Sequence, residues 1–183
     1  MDINQYNPVQ TTPYPVRHKL KIHLWKIINR TIFRIIPNQM RKPRIILLRS
    51  FGAKLANTVN INRLAIIDHP WNLSMGDLSS LGECSWAYCL DKITIGKKCC
   101  IGKDAYLITG NHDISSTTFE QTTKPITIDD GCWVSTGSYI LPGVTLSRFT
   151  VVAAQSLVNK STDEYDIIGG NPARFIKKRG IKN

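Results

Sequence analysis

The feature that most constrains this chain is a six-residue period. From Ile128 the sequence reads IDDGCW, VSTGSY, ILPGVT, LSRFTV, VAAQSL, so aliphatic residues fall at 128, 134, 140, 146, 152 and 158. The fifth place of each unit is small or β-branched: Cys132, Ser138, Val144, Thr150 and Ser156. A second run, IGKKCC and IGKDAY, puts Ile95, Ile101 and Leu107 in the same frame, with Cys99 and Ala105 at the small place. Such a unit is one short strand and one turn. The aliphatic side chain points inward, the small residue lets the chain bend close to the core, and Gly96 and Gly102 are read as tolerating turn dihedrals. Three units make a coil of about 18 residues, and coils stack at the ~4.8 Å strand spacing to give a parallel β-helix. Five consecutive in-phase units argue against an antiparallel all-β domain with chance spacing.

The breaks in the period divide the chain. Residues 108–127 (ITGNHDISSTTFEQTTKPIT) lack aliphatic inward positions and are expected to leave the helix as a protruding loop, where repeat proteins place binding and catalysis. Upstream, MGDLSS and LGECSW carry Met75 and Leu81 two residues out of phase with the units from Ile95 onward. Leu55 and Ile61 hold the frame before HPWN interrupts it near residue 70. The expected organisation is an N-terminal helical arm over 1–54, the β-helix over 55–162 and a short C-terminal tail over 163–183.

The net charge of +11 suggests nucleic-acid binding until its distribution is considered. Residues 1–54 hold 11 Lys and Arg against one acid, residues 55–162 hold 8 against 9, and residues 163–183 hold 5 against 3. The body is near neutral, and the arm is aliphatic without arrays of base-stacking aromatics, so no nucleic-acid partner is expected. In the arm Leu20, Leu24, Ile27, Ile28, Phe33, Ile35 and Ile36 alternate with basic residues at roughly helical spacing, up to Pro37. Such a helix either lies on an anionic membrane surface or covers the first coil, as repeat proteins require. Five cysteines without paired C-x-x-C spacing fit free thiols in a reducing cytosol. With no secretory or membrane-spanning stretch, the expected place is cytoplasmic, peripheral at the inner membrane face if the arm binds there.

The segments IGKKCCIGKDAYLITGNHD, PITIDDGCWVSTGSYILPGVTL and IGGNPARFIKKR resemble the hexapeptide-repeat, left-handed β-helix acetyltransferases, which include the galactoside and maltose acetyltransferases. The chain looks most similar to the colanic-acid type from exopolysaccharide clusters, whose basic arm leads into an LLRxFGAK-like stretch, here LLRSFGAK at 47–54. The resemblance spans about residues 45–180. It implies a left-handed helix, a homotrimer with sites between subunits, acetyl-CoA as cosubstrate without a metal, and a sugar or glycan hydroxyl as acceptor.

By the same resemblance His112 is the general base. A sugar hydroxyl attacks a thioester poorly until its proton leaves, and a neutral imidazole is ready to accept it. The pantetheine is expected to pass Thr136 and Ala154, with Asn159 and Lys160 farther along and Arg174 and Lys177 on the nucleotide phosphates. Lys178 and Arg179 are further candidates there. Asn111, Asp113 and Asp91 are candidates for the acceptor, and Asp113 also for orienting the ring or simply forming a turn. The family's acceptor-binding asparagine has no counterpart, since the corresponding stretch, CSWAYCLDKITIG, offers Cys84 or Cys89. Cys99 and Cys132 belong to the core rather than to thiol catalysis. Trp133 should face outward, and His18, His23 and His69 carry no assigned chemistry. A γ-type carbonic anhydrase needs three metal-binding histidines, and the coils hold only His69 and His112. A non-catalytic, membrane-attached scaffold is the alternative to an enzyme.

Overall fold

A computed structural model describes residues 3–8 and 14–181; the remaining residues of the arm and tail, 1, 2, 9–13, 182 and 183, lie outside the described residues. Among the described residues the repeats wind into five complete coils of three strands. These are β1 (Lys54–Leu55), β2 (Asn60–Ile61) and β3 (Ile66–Ile67); β4 (Leu73–Met75), β5 (Ser80–Leu81) and β6 (Trp86–Tyr88); β7 (Ile93–Ile95), β8 (Cys100–Ile101) and β9 (Tyr106–Ile108). After a hairpin, β10 (Gly110–His112) and β11 (Gln121–Thr123), the coils resume. They continue as β12 (Ile126–Ile128), β13 (Trp133–Val134) and β14 (Tyr139–Ile140), then β15 (Thr145–Leu146), β16 (Val151–Val152) and β17 (Leu157–Val158). Face A holds β1, β4, β7, β12 and β15; face B holds β2, β5, β8, β13 and β16; face C holds β3, β6, β9, β14 and β17. All pair in parallel. Face B continues through β18 (Asp166–Gly170) into an antiparallel partner, β19 (Ala173–Lys178), so the chain beyond residue 162 is a β-hairpin built on the helix.

Each face turns one column of side chains inward. Leu55, Met75, Ile95, Ile128 and Leu146 are successive partners on face A. Ile61, Leu81, Ile101, Val134, Val152 and Ile168 form the column on face B. Ile67, Ala87, Leu107, Ile140 and Val158 form that on face C. All are buried, and each large aliphatic among them contributes about 1.5–3 kcal/mol by leaving water. Met75 and Leu81 are therefore in register after all. From Leu55 to Met75 to Ile95 a coil takes 20 residues, whereas from Ile128 to Leu146 it takes 18. The two extra residues lie at the corner between faces C and A, where Pro70–Asn72 makes a 3-10 turn in the first coil.

The turn glycines work differently from the expectation. Gly96 and Gly102 have no positive φ; the left-handed places are two residues on, at Lys98 and Asp104, and above them at Gly131 and Gly137. Gly102 is required by close approach, since an added Cβ would sit 2.8 Å from the backbone nitrogen of Thr136 in the next coil. The small inward residues also satisfy turn carbonyls: Ser138 Oγ donates to Ala153 O at 2.9 Å, and the Cys99 and Cys132 thiols reach Asp129 O and Ser147 O at 3.0 and 3.1 Å. The hydrogen bond shared with Cys99 and burial push the Cys132 thiol up, consistent with packing rather than nucleophilic use.

The arm forms α1 (Val16–Arg30), α2 (Ile32–Ile35) and α3 (Arg41–Ser50), and it covers the first coil. Trp25 and Phe33 are fully buried, and the Trp25 indole N–H donates to Ile67 O. Arg44 is buried too, and burial draws its pKa down; its guanidinium donates to the carbonyls of Ile61 at 2.9 Å, Ile36 at 3.1 Å, Asn38 at 2.9 Å and Pro37. These donors also close the open end of the solenoid, where backbone carbonyls would otherwise lack partners. The expected apolar stripe is split, because Trp25, Ile28, Asn29 and Phe33 face the coil while Leu20, Leu24, Ile27 and Ile35 remain exposed. His69 is buried among the rings of Tyr14, His18 and Trp71.

Trp25→Ala is expected to cost about 3–5 kcal/mol in urea unfolding, whereas Leu20→Ala stays within about 0.5 kcal/mol; similar losses would contradict this division of the helix. Burial, then the nearby His18 and Lys26, push His69 down to about 4. The stability its neutral ring carries is present above the unfolded value of about 6.5 and is lost as pH falls toward that lower value. Thermal melts of His69→Leu should therefore depend less steeply on pH between those limits than melts of the wild type.

Candidate active site

The expected loop is a hairpin, and it is shorter than 108–127. Ile108 still belongs to face C, and Ile126 and Thr127 already belong to face A, with Ile126 buried. Strands β10 and β11 pair antiparallel, with Gly110 opposite Thr123, Asn111 opposite Thr122 and His112 opposite Gln121. The hairpin leaves the helix at the corner between faces C and A, and hydrogen bonds fix its base. Thr109 Oγ1 donates to Tyr88 O at 2.7 Å and accepts from the Asp91 N–H at 3.0 Å, and Thr123 Oγ1 donates to Asp91 Oδ2 at 3.2 Å. Asp91 thus holds the foot of the hairpin.

His112 Nδ1 lies 2.9 Å from the carbonyl oxygen of Phe119, and its ring stacks on that of Phe119 at 4.5 Å and 6°. A carbonyl only accepts, so Nδ1 carries the hydrogen, and in the neutral ring Nε2 keeps its lone pair. Asp113 does not orient the ring. Its Oδ1 accepts from the Ser115 N–H at 2.9 Å and from the Ser115 hydroxyl, which holds the carboxyl below the usual range and makes it a turn former. Glu120 is likewise lowered by the hydroxyls of Ser116 and Thr118. These bonds stiffen the hairpin tip that supplies the Phe119 carbonyl.

A cavity of about 420 Å³ gathers Asn111, His112 and Asp113 with Leu141, Pro142 and Asn159. Lys160 follows Asn159 at the same C–A corner. Thr136 and Ala154 sit elsewhere, in the turns joining face B to face C. They form a column there: Gly102 lies under Thr136, the Gln155 N–H donates to Thr136 O at 2.9 Å, and the Gly170 N–H donates to Ser156 Oγ at 3.1 Å. Arg174, opposite Gly169 in the last hairpin, continues that edge, and Lys177 lies farther back, opposite Ile167. Lys178 pairs with Asp166 at 2.8 Å and Arg179 donates to Gly131 O at 3.0 Å, so both are engaged in holding the tail.

Sequence reasoning missed Phe119, whose carbonyl and ring fix His112 and which no repeat position marks. It also missed an outward ladder on face C, Trp86, Tyr106 and Tyr139, with centroids 5.9 and 4.6 Å apart. Each precedes an inward residue, so a coil length of 20 would have aligned the first two. Trp133 is half exposed on face B. Cys89 is fully buried and burial pushes its thiol up to about 12, so it cannot meet an acceptor in place of an asparagine. No group of three or more His, Cys, Asp or Glu suited to a metal ion occurs among the described residues.

No family model matches the chain. Over 160 residues it is 39% identical to an Escherichia coli K12 protein provisionally named colanic acid biosynthesis acetyltransferase WcaF, covering 87% of this chain and 88% of that one. Among solved structures, a maltose O-acetyltransferase from Clostridium difficile 630 superposes with a TM-score of 0.81 at 22% identity, covering 91% of this chain and 90% of the other. A hexapeptide-repeat acetyltransferase of Vibrio cholerae, complexed with acetyl coenzyme A, gives 0.77 at 22% identity and covers 97% and 98%. The structural likenesses establish the fold, a left-handed parallel β-helix. With the sequence likeness carrying the family, the chain belongs to the hexapeptide-repeat acetyltransferases, in their colanic-acid-biosynthesis branch.

Proposed function

We propose that this enzyme transfers an acetyl group from acetyl-CoA to a hydroxyl of a sugar or glycan intermediate, with His112 as general base. The observation that carries the role of His112 is its tautomer: the Phe119 carbonyl takes the Nδ1 hydrogen, and Nε2 keeps a free lone pair beside a cavity. In the reaction Nε2 accepts the hydroxyl proton as that oxygen attacks the thioester carbonyl. The tetrahedral oxyanion falls to backbone N–H groups, and its collapse expels the CoA thiolate, which recovers the proton from His112. The acceptor class rests on the name of the WcaF relative, and the donor on the acetyl coenzyme A of the Vibrio cholerae structure.

The edge carrying Gly102, Thr136, Ala154 and Arg174 suits an extended pantetheine. It is open backbone with small side chains and ends in a cation for phosphate. His112, Asn159 and Lys160 stand on the other edge of face C. One chain therefore separates base and thioester by the width of a face. A homotrimer, in which one subunit's C–A edge lies against the B–C edge of the next, brings them together. Asn111 and Asp113 then border the acceptor, and Asp91 acts through the hairpin it anchors. The exposed Leu20, Leu24 and Ile27 of the basic arm suit peripheral contact with an anionic membrane on the cytoplasmic side. Among the described residues no helix is long and apolar enough to cross a membrane.

His112→Ala should lower kcat for acetyl transfer about 10²–10⁴-fold, with thermal stability and acetyl-CoA binding unchanged. Turnover retained at the wild-type rate would rule out the general-base role.

A further inference from the structure

A second cavity, of about 680 Å³, lies between α1 and the lower part of face C, outside the space that His112 borders. That volume suits a drug-sized or disaccharide-sized ligand. One wall carries Lys19, Lys26, Arg30 and Arg34. None of the four makes an ion pair among the described residues, where the ion pairs are Lys103 with Glu83 and Lys178 with Asp166. The other wall carries Trp86 and Tyr88, 5.1 Å apart, and Asp68, whose carboxylate accepts from the Trp86 indole N–H at 2.7 Å.

Among its lining residues is His69, only 5% exposed, with neither ring nitrogen hydrogen-bonded to any atom of the described residues. A buried polar group without a partner costs about 1–3 kcal/mol. Such a cost is met where a ligand completes the bond.

We propose that this cavity binds a phosphate-bearing saccharide. The sugar ring lies on Trp86 and Tyr88, one of its hydroxyls bonds His69, and the phosphate meets Lys26 and Arg30. Four cations against the single carboxylate of Asp68 select an anion, and an aromatic wall with isolated polar groups is the pattern that holds a sugar ring. The position of Gln121 links the cavity to the chemistry. It lines the cavity and stands directly opposite His112 in the hairpin. Resting on the acetyl-transfer reading in this respect alone, the bound saccharide is the phosphate-bearing part of the acceptor, whose reacting hydroxyl extends past Gln121 to the space bordered by Asn111, His112 and Asp113.

Titration calorimetry on the full chain tests this with three probes: glucose 1-phosphate, methyl glucoside, and a prenyl-diphosphate-linked glucose in detergent micelles. At least one phosphate-bearing probe should bind about ten-fold or more tightly than methyl glucoside. K26A/R30A should erase that preference while acetyl-CoA binding, measured in parallel, shows the variant folded. Preference with glucose 1-phosphate assigns a free sugar phosphate; preference with the prenyl probe alone assigns a lipid-linked one. Equal affinities for all probes, no binding of any, or a preference that survives K26A/R30A would overturn the proposal. Loss of acetyl-CoA binding in the wild type would instead overturn the acetyl-transfer reading and leave this site standing.

Discussion

Leu55, Met75, Ile95, Ile128 and Leu146 lie one above another at the strand spacing, and with their counterparts on the other two faces they form the core of the molecule. The strands are two or three residues long, too short to be stable alone, so each depends on the coil above and below. This dependence fixes the other features. The end coil must be covered, which the arm does with Trp25, Phe33 and Arg44, whose guanidinium makes four hydrogen bonds to backbone carbonyls. Turns must let the next coil approach, which places glycine at 102 under Thr136. Whatever the chain inserts must leave at a corner, because an insertion within a face would break all three columns.

The corner between faces C and A is where the chain departs from the rule. The 3-10 turn at Pro70–Asn72, the extra residues of the 20-residue coils and the hairpin bearing His112 all lie there. The rigid helix holds the base of the hairpin through Thr109 and Asp91, and the hairpin holds the ring through Phe119. The proposed base is thus positioned by a chain of directed bonds from core to tip. The opposite edge of face C stays regular, and an edge of repeating small turns is what a long, thin cosubstrate needs. In the proposed reading a chain built this way divides donor and base between its two edges and completes the site by assembling with copies of itself.

Much of this was legible in the sequence, for a physical reason. A period of six with a small fifth residue admits few folds, so the β-helix, its columns from Ile95 onward and the break that carries His112 could be read directly. The lower coils were harder, because two additional residues at one corner shift the frame without disturbing the stack; Met75 and Leu81 therefore looked out of phase. The arm's stripe misled for a different reason. Its inward face is defined by the rings of Trp25 and Phe33 and by polar Asn29 and Arg44, which accept from the Ile67 N–H and donate to the Ile61 carbonyl, so counting aliphatic residues mixed that side with the exposed one. The Phe119 carbonyl that sets the His112 tautomer belongs to the backbone, and no side-chain pattern announces it.

The central claim is that base and donor edge come from different subunits, and complementation between inactive chains tests it most directly. His112→Ala removes the base from one edge, and Ala154→Trp fills the proposed pantetheine path on the other. Each variant alone should be inactive, and co-expressed together they should recover a measurable fraction of wild-type acetyl transfer, because mixed assemblies contain sites with both an intact hairpin and an intact edge. Two variants that assemble together yet recover no activity would contradict this division and place the whole site within one chain.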